Sequence, residues 1–197
     1  MRCLIVIAHP LPSSLCHALA ARTEAELRAA GHEVVVEDLY ANGFHPALTG
    51  AERESFYLTR YDTSGMQAQV DRLQAAQALV LCFPTWWFGP PAILKGWFDR
   101  VWGPGIAYDH ATDLGLIQPR LRDLRQVLAI TTLGSPFWVD WLVMRRPLRR
   151  VLRHALIRAC APQARFAMLS LYQAEAMTPQ RLSRFATRIK RTVARWR

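Results

Sequence analysis

The chain has 197 residues, 51% of them apolar, which suits one compact domain over residues 1–197 with a sizeable core. Its net charge of +10 is uneven, because residues 1–99 hold 7 Lys and Arg against 10 Asp and Glu, whereas residues 100–197 hold 18 against 5. No low-complexity segment and no repeat of fixed period is present, which excludes a repeat architecture.

The first half of the chain predicts strands and helices in alternation. Arg2 to Ala8 is a short apolar run typical of a buried parallel strand, and Ser13 or Ser14 can cap the helix after it. That helix is expected to end near Gly31. The next predicted elements are a strand within 32–38, a short helix near 51–56, a helix over 66–76, a strand over 78–83 and a helix over 91–101.

The second half continues the alternation after a break at Gly103-Pro104-Gly105. The segment up to residue 123 is expected to be irregular with a short hairpin. The later predicted elements are a strand over 125–131, a helix over 141–159, a strand over 165–171 and a helix from Thr178 and Pro179 through 196.

Five such alternations favour an α/β fold, a three-layer sandwich with a five-stranded parallel sheet between two layers of helices. Right-handed crossovers and five strands allow the order 2-1-3-4-5, whose switch point lies between strands one and three. Ligands bind beyond the carboxyl ends of the strands at such a point. The loops after strands one, three and four are therefore the candidate site.

The loop after strand one runs from His9 to Leu15 and leads into a helix amino end, where outward N–H groups favour an anion. It contains no glycine, so the dinucleotide fingerprint is absent, and a single phosphate fits as well as a pyrophosphate. On this loop alone, a plain capped turn is the simpler interpretation.

The other two loops are rich in aromatic and hydroxyl side chains. After strand three, Trp86, Trp87 and Phe88 follow one another between prolines, which suits a planar heteroaromatic ring or a partner subunit. After strand four, Thr131, Thr132 and a glycine can bond the polar edge of such a ring. The convergence of the three loops on one switch point is the functional signal.

The densest basic stretch is Arg145, Arg146, Arg149, Arg150 and Arg153. Spacings of three and four place the last four near one face of a predicted helix. Two interpretations stay open, a solvated face and a site for an anionic ligand or partner. Nucleic acid is not expected, since the stretch lacks the motif contexts that would support it.

The remaining reactive side chains predict no metal site and no catalytic cysteine. The four cysteines form no CxxC pair, and Cys3 and Cys82 lie in apolar strand patterns. The histidines other than His9 show no spacing typical of metal ligands or a triad. The apolar run over 78–94 contains prolines that would break a membrane span, so a cytoplasmic protein is expected.

The chain resembles the NAD(P)H:quinone oxidoreductases, also called NAD(P)H dehydrogenases, of the flavodoxin-like superfamily. The resemblance rests on Leu4-Ile5-Val6-Ile7-Ala8-His9-Pro10, on Asp38-Leu39-Tyr40, on the long stretch from Phe83 to Val101 and on Ile130-Thr131-Thr132. It covers residues 2–135 well, and the remainder is similar mainly in its expected elements.

This resemblance implies a non-covalently bound flavin, FMN being preferred over FAD, with NAD(P)H as co-substrate, a quinone-like acceptor and a homodimer. Carried over by position, the phosphate end of the flavin would meet His9, Ser14, Leu15 and Cys16. Its isoalloxazine ring would meet Pro84, Thr85, Trp86, Trp87 and Phe88, and its pyrimidine edge Thr131, Thr132, Leu133 and Gly134.

The chain departs from the family pattern on the acceptor side. Residues 136–146 contain neither the Tyr nor the His of relatives with well-described quinone sites, and Leu133-Gly134 replaces the usual glycine pair. Arg145 and Arg146 follow instead, and either could hold a dinucleotide phosphate. No catalytic residue is assigned, because the cofactor carries the hydride chemistry.

A second interpretation from another functional class remains open. It is a flavin-binding electron carrier, or a regulatory subunit of a membrane transporter without stable membrane insertion of its own. The basic second half and the long connection over 39–62 argue against a simple shuttle. Direct oxidation of NADPH by the protein separates the two.

Overall fold

The computed structural model describes residues 1–111 and 115–196, and a five-stranded parallel sheet forms its centre. The sheet order is β2-β1-β3-β6-β7, which confirms the predicted order 2-1-3-4-5. The strands are β1 (Arg2–Ile7), β2 (Glu33–Asp38), β3 (Ala78–Pro84), β4 (Tyr108–Asp109), β5 (Gln118–Pro119), β6 (Gln126–Thr132) and β7 (Arg165–Leu171).

The short strands β4 and β5 pair with each other in antiparallel fashion, apart from the main sheet. The predicted hairpin after Gly105 is therefore confirmed, although residues 112–114 of that segment lie outside the described residues. In the part of the chain that the structure describes, no helix has the length and apolar content needed to cross a membrane.

Apart from the segment over 139–160, the helices begin and end close to the predicted bounds. Ser14 caps the first of them, and Thr178 with Pro179 starts the last one. They are α1 (Leu15–Ala29), α2 (Gly50–Ser55), α3 (Gln67–Ala75), α4 (Ala92–Val101), α5 (Pro147–Arg150), α6 (Arg158–Cys160) and α7 (Pro179–Val193), with π-helical turns at Val139–Val143 and Val151–Ile157.

The single helix predicted over 141–159 is wrong. The chain leaves the helical conformation before Pro147, where Arg145 and Arg146 take positive φ angles of 55° and 54°. Proline has no N–H to continue the helical bonding and disfavours the α region for the residue before it. The helix therefore divides into the turn Val139–Val143 and a second segment that starts at Pro147.

Two apolar clusters hold helices on opposite faces of the sheet. One cluster joins the sheet to α1 and α7 through residues such as Leu19, Leu27 and Ile189. The other packs α3, α4 and the helical segment over 147–160 through residues such as Trp97 and Leu152. The fold is therefore the expected three-layer α/β sandwich, and the carboxyl ends of β1, β3 and β6 open on one edge of the sheet.

Gly96 lets α4 approach the connection between β2 and α2 more closely than another residue would. A Cβ atom added at Gly96 would lie 2.1 Å from the carbonyl oxygen of Pro46. That contact involves backbone, which cannot turn away as a flexible side chain can.

Gly96→Ala is therefore expected to lower the free energy of unfolding by about 2 kcal/mol, because overpacking outweighs the better helix propensity of alanine. Gly50→Ala is the matched control, since a Cβ there meets nothing within 4 Å. Urea unfolding of both variants measures the difference. Equal stability of the two would contradict the close approach.

Candidate functional site

Contacts between side chains tie the three candidate loops together at the carboxyl edge of the sheet. The hydroxyl oxygens of Thr85 and Thr131 lie 2.5 Å apart. The sulfur of Cys16 lies 3.6 Å from the hydroxyl of Thr132, and the rings of His9 and Trp86 are 6.3 Å apart. Residues from the loops after β1, β3 and β6 thus lie side by side at this edge, where the sequence predicts a site.

The amino end of α1 is free to bind an anion. The Ser14 side chain accepts a hydrogen bond from the His17 N–H, and the first turn contains no acidic residue. Among the described residues, no acceptor faces the backbone N–H groups of Leu15 and Cys16. Two unpaired donors and the positive end of the helix dipole therefore point toward the site.

A hydrogen-bonded chain of three side chains supports this helix end, and the sequence did not indicate it. The Ser14 hydroxyl lies 2.9 Å from Nδ1 of His17, whose Nε2 lies 2.8 Å from Oδ2 of Asp38. The other carboxylate oxygen of Asp38 accepts the N–H groups of Tyr40 and Ala41. Asp38 therefore holds the imidazole in place and directs its Nδ1 toward Ser14.

His9 lies between this chain and the aromatic loop. Its Nδ1 accepts the Leu11 N–H at 3.1 Å, so its proton is on Nε2 when the ring is neutral. Burial, together with the nearby charge of His17, lowers the pKa of His9 below its ordinary value. The neutral His9 ring therefore offers its Nε2–H as a donor beside the amino end of α1, where an anion can bind.

The aromatic loop is a tight turn with unusual backbone angles. Trp86 and Gly89 exchange two backbone hydrogen bonds of 3.1 and 2.9 Å, and Trp87 and Phe88 between them take φ angles of 51° and 57°. For side chains other than glycine that conformation costs roughly 1–2 kcal/mol. Among the described residues, no acceptor faces the N–H groups of Trp87 and Phe88.

This turn presents its rings to the outside. Trp87 is 100% exposed and Trp86 is 45% exposed, whereas the neighbouring Pro84 is fully buried. Strain at a turn whose two tip N–H donors are unpaired and whose Trp87 ring is fully exposed indicates a binding surface. This side of the site is thus an open surface, on which the rings of Trp86 and Trp87 lie beside the free N–H groups of Trp87 and Phe88. Together with the adjoining loops after β1 and β6, we call this surface the shelf.

The loop after β6 provides the opposite polar edge. The Leu133 N–H bonds to the Leu171 carbonyl, so it does not face a ligand. In the described part of the chain, the Gly134 N–H has no acceptor and the buried hydroxyl of Ser135 has no hydrogen-bond partner. Gly134 and Ser135 are therefore the donors of this loop, and Ser135 was missed by the sequence analysis.

Several predicted site residues support the shelf rather than line it. Thr131 is fully buried, and the Thr85 N–H bonds to the Thr132 carbonyl at 2.8 Å. Cys16 is 2% exposed, and burial raises the pKa of its thiol to about 11, which keeps it protonated. The contacts of these residues hold the loops after β1, β3 and β6 in fixed positions relative to one another.

The outer rim of the site is formed by the π-helical turn at Val139–Val143 and the loop after β7. It carries a polar network beside exposed apolar side chains. Tyr172, just past β7, donates its hydroxyl to Asp140 at 2.7 Å and accepts the Trp141 indole N–H at 3.0 Å. The Arg146 guanidinium stacks 4.1 Å from the centre of the Trp141 ring. A tyrosine thus reaches this rim from the loop after β7, although residues 136–146 contain none.

Comparison with known proteins agrees with this geometry. The family model described as the flavodoxin-like fold matches residues 1–191. The ribosyldihydronicotinamide dehydrogenase [quinone] of Pongo abelii is 33% identical over 190 residues, covering 83% of this chain and 80% of its own length. The chain belongs to the NAD(P)H:quinone oxidoreductase branch of the flavodoxin-like family.

Two further comparisons describe the extent of this likeness. NAD(P)H dehydrogenase [quinone] 1 of Rattus norvegicus is 37% identical to this chain over 152 residues. The matched region covers 68% of this chain and 54% of the rat protein. The chain thus spans about half the length of that relative. The structure of Smu.1420 from Streptococcus mutans UA159 has a TM-score of 0.84 at 26% identity and covers 98% of both chains.

Proposed function

We propose that the protein is a flavin-dependent NAD(P)H oxidoreductase that passes a hydride, by way of a non-covalently bound flavin, to a quinone or a similar small acceptor. The observation that carries the proposal is the shelf of free N–H donors. Leu15 and Cys16 lie at its phosphate side, Trp87 and Phe88 at its aromatic side, and Gly134 at its polar edge. This spacing of an anion site, a planar wall and ring-edge donors suits a flavin phosphate and its isoalloxazine.

The residues present fit either FMN or FAD. Ser14, Leu15 and Cys16 would hold the phosphate, with the neutral His9 beside them. The unpaired Ser135 hydroxyl and the Gly134 N–H would meet the pyrimidine edge of the ring. The N–H groups of Leu15, Cys16 and Gly134 and the Ser135 hydroxyl are unpaired within the described chain, so binding a cofactor would satisfy groups that now have no acceptor.

A flavin bound here supplies the hydride chemistry, accepting from a reduced nicotinamide and donating to the acceptor. The chain supplies orientation and electrostatics. The Trp87 and Phe88 N–H groups would hold the flavin ring against the turn, and the Gly134 N–H would stabilise negative charge at its pyrimidine edge. In this proposal the hydride transfer requires no side-chain acid or base.

A homodimer completes the open site in this proposal. The shelf continues into exposed apolar side chains whose exposed fractions are large for a monomer's surface. They are Trp86 45%, Trp87 100%, Phe137 61%, Trp138 49%, Trp141 51%, Leu142 73% and Val143 63%. A second copy packed over this rim would exclude water from the reacting rings.

Two further parts of the proposal concern the co-substrate and the compartment. Arg145 lies at the rim beside Arg146, and the Nε of Arg146 is buried without a hydrogen-bond partner. These two guanidinium groups favour a nicotinamide dinucleotide that carries an extra phosphate.

The four cysteines are free and buried, which suits a reducing cytoplasm.

The visible absorption spectrum of the purified protein, followed by anaerobic NADPH addition, tests this function. Flavin bands that bleach on addition are expected. Bands that neither NADPH nor NADH bleaches would favour a carrier or regulatory subunit. Failure to retain any flavin after incubation with FMN and FAD would contradict the proposal.

Trp87→Gly should separate binding from stability. Glycine takes positive φ without strain, so the free energy of unfolding is expected to rise by up to about 1 kcal/mol. Removal of the ring should weaken flavin binding about fivefold, since an aromatic contact contributes about 1 kcal/mol. Flavin titration and urea unfolding measure the two effects, with Trp87→Phe as the control that keeps a ring. Unchanged flavin affinity in the glycine variant would remove Trp87 from the site.

A further inference from the structure

A cavity far from the flavin shelf collects unpaired arginines. It has a volume of about 510 Å³ and lies between the helical segment over 147–160 and the edge strand β7. Arg149, Arg153 and Arg158 line it from the helical segment, and Arg165 lines it from the strand. Arg165 is the first residue of β7. It lies roughly 20 Å along the strand from Leu171, at the carboxyl edge of the sheet where the flavin is proposed to bind.

The π-helical turn within this segment places the arginines on one side. In a regular α-helix, nine residues make about 2.5 turns, so Arg149 and Arg158 would point in opposite directions. Over Val151–Ile157 the helix is π-helical, and its wider turns take more residues each. Arg158 thereby returns to the side of Arg149 and Arg153, and all three line the same cavity.

These four guanidinium groups have no anionic partner in the part of the chain that the structure describes. Among the described residues, none of them takes part in an ion pair or a side-chain hydrogen bond. By contrast, arginines of the first half such as Arg22, Arg28 and Arg72 pair with glutamates. Residues 125–197 hold 15 Lys and Arg but only 2 Asp and Glu, so the chain offers the cavity almost no neutralising charge.

Arg149 is the most constrained member of the group. It is half-buried, and its guanidinium lies 5.5 Å from the centre of the Phe166 ring. Burial, followed by the like charges of Arg146 and Arg153, lowers its pKa from the ordinary value. Like charges held around one cavity repel one another, and a bound polyanion would relieve that repulsion.

We propose that this cavity binds a small molecule that carries at least two linked phosphate groups. Guanidinium groups bind phosphate oxygens in bidentate fashion, and four of them exceed what a single phosphate requires. The cavity volume falls within the range of ligand pockets, and its walls come from both a helix and a strand. A concave site of this kind suits a discrete ligand rather than the extended backbone of a nucleic acid. The inference does not rest on the proposed redox function.

The test uses the purified protein, incubated beforehand with excess FMN, and inorganic tripolyphosphate as the probe. Calorimetric titration at constant ionic strength is expected to give saturable binding of one triphosphate per chain, with flavin fluorescence unchanged. Sulfate at the same charge concentration should bind far more weakly. Release of flavin by triphosphate would place the anion at the α1 end instead, and absence of saturable binding would also overturn the proposal.

Two double variants with the same reduction in charge make the test specific. Arg153→Gln/Arg158→Gln removes two exposed arginines of the cavity, and Arg184→Gln/Arg191→Gln removes two exposed arginines of α7. The cavity variant should bind triphosphate about 100-fold more weakly, since removing one charge-assisted hydrogen bond weakens binding about tenfold. The α7 variant should bind within about twofold of the unmodified protein. Equal weakening of both variants would show general attraction to net charge and would overturn the proposed site.

Discussion

Arg100→Met is expected to lower the free energy of unfolding by about 3–5 kcal/mol, because it leaves the Glu52 carboxylate buried without a cation. The two side chains are 6% and 4% exposed, and Arg100 Nε donates to both carboxylate oxygens of Glu52 at 3.1 and 3.0 Å. The same guanidinium also bonds to the carbonyl of His45 and stacks on Phe44. It therefore joins α4 to α2 and to the connection before α2. Denaturant unfolding at neutral pH measures the loss of stability.

Two comparisons distinguish this buried pair from a surface pair. Arg120→Met breaks an ion pair of 2.8 Å with Asp109 whose side chains are both 46% exposed, and should cost at most about 1 kcal/mol. Arg100→Met/Glu52→Leu should recover part of the stability, since no charge then remains buried. A destabilisation by Arg100→Met no larger than that by Arg120→Met would contradict the buried-charge explanation.

The same pair predicts a pH dependence. Burial alone would raise the pKa of Glu52, but the hydrogen bonds from Arg100 and Thr49 hold it below its ordinary value. A lowered carboxyl pKa stabilises the native state above the unfolded pKa and loses that contribution as pH falls through the native value. In Arg100→Met the buried carboxyl favours its proton. The stability difference between the two proteins should therefore shrink from about pH 7 to about pH 4.

Ser14→Asp is expected to weaken flavin binding about 100-fold while leaving the fold intact. Aspartate caps a helix as well as serine does, so α1 should still begin at Leu15. Its carboxylate would, however, stand where the flavin phosphate is proposed to bind, and like charges about 4 Å apart repel by several kcal/mol near a protein surface. Titration with FMN, followed by flavin fluorescence, measures the affinity.

Ser14→Asn provides the neutral control, because asparagine also caps but adds no charge. Its flavin affinity should stay within about tenfold of the unmodified protein, and apo forms of both variants should unfold at similar denaturant concentrations. If aspartate and asparagine weakened binding equally, the effect would come from the missing hydroxyl rather than from phosphate repulsion. The phosphate end of the site would then lie elsewhere.

The sheet and the positions of the three loops could be predicted because they depend on local patterns. All seven residues of β3 are buried, and such a continuous apolar run is typical of a central parallel strand. Ser14 and Thr178 are capping residues that mark their helices in the sequence itself. Strand order followed from the alternation of elements, and the switch point followed from strand order.

The details that were not predicted depend on contacts distant in sequence or on departures from regular helix. His17 meets Asp38 only because β2 lies beside β1, with Ile7 opposite Asp38. The arginine cavity depends on the π-helical turn at Val151–Ile157 and on Arg165 from another element. Spacing along an ideal helix predicted that Arg146, Arg149, Arg150 and Arg153 lie near one helix face. In the structure Arg149 and Arg153 line the cavity, whereas Arg146 and Arg150 do not.

The backbone of the Trp86 to Gly89 turn is closed by its own two hydrogen bonds, and the Trp87 side chain at its tip is fully exposed. Its path therefore depends little on which rings occupy the tip. Substitutions at Trp87 and Phe88 can change the size and polarity of the surface at the tip while the N–H donors stay in place. In evolutionary terms, the side chains of the tip can change while the backbone path of the turn is kept. Glycine and asparagine adopt positive φ most readily and are therefore the easiest replacements at Trp87 and Phe88.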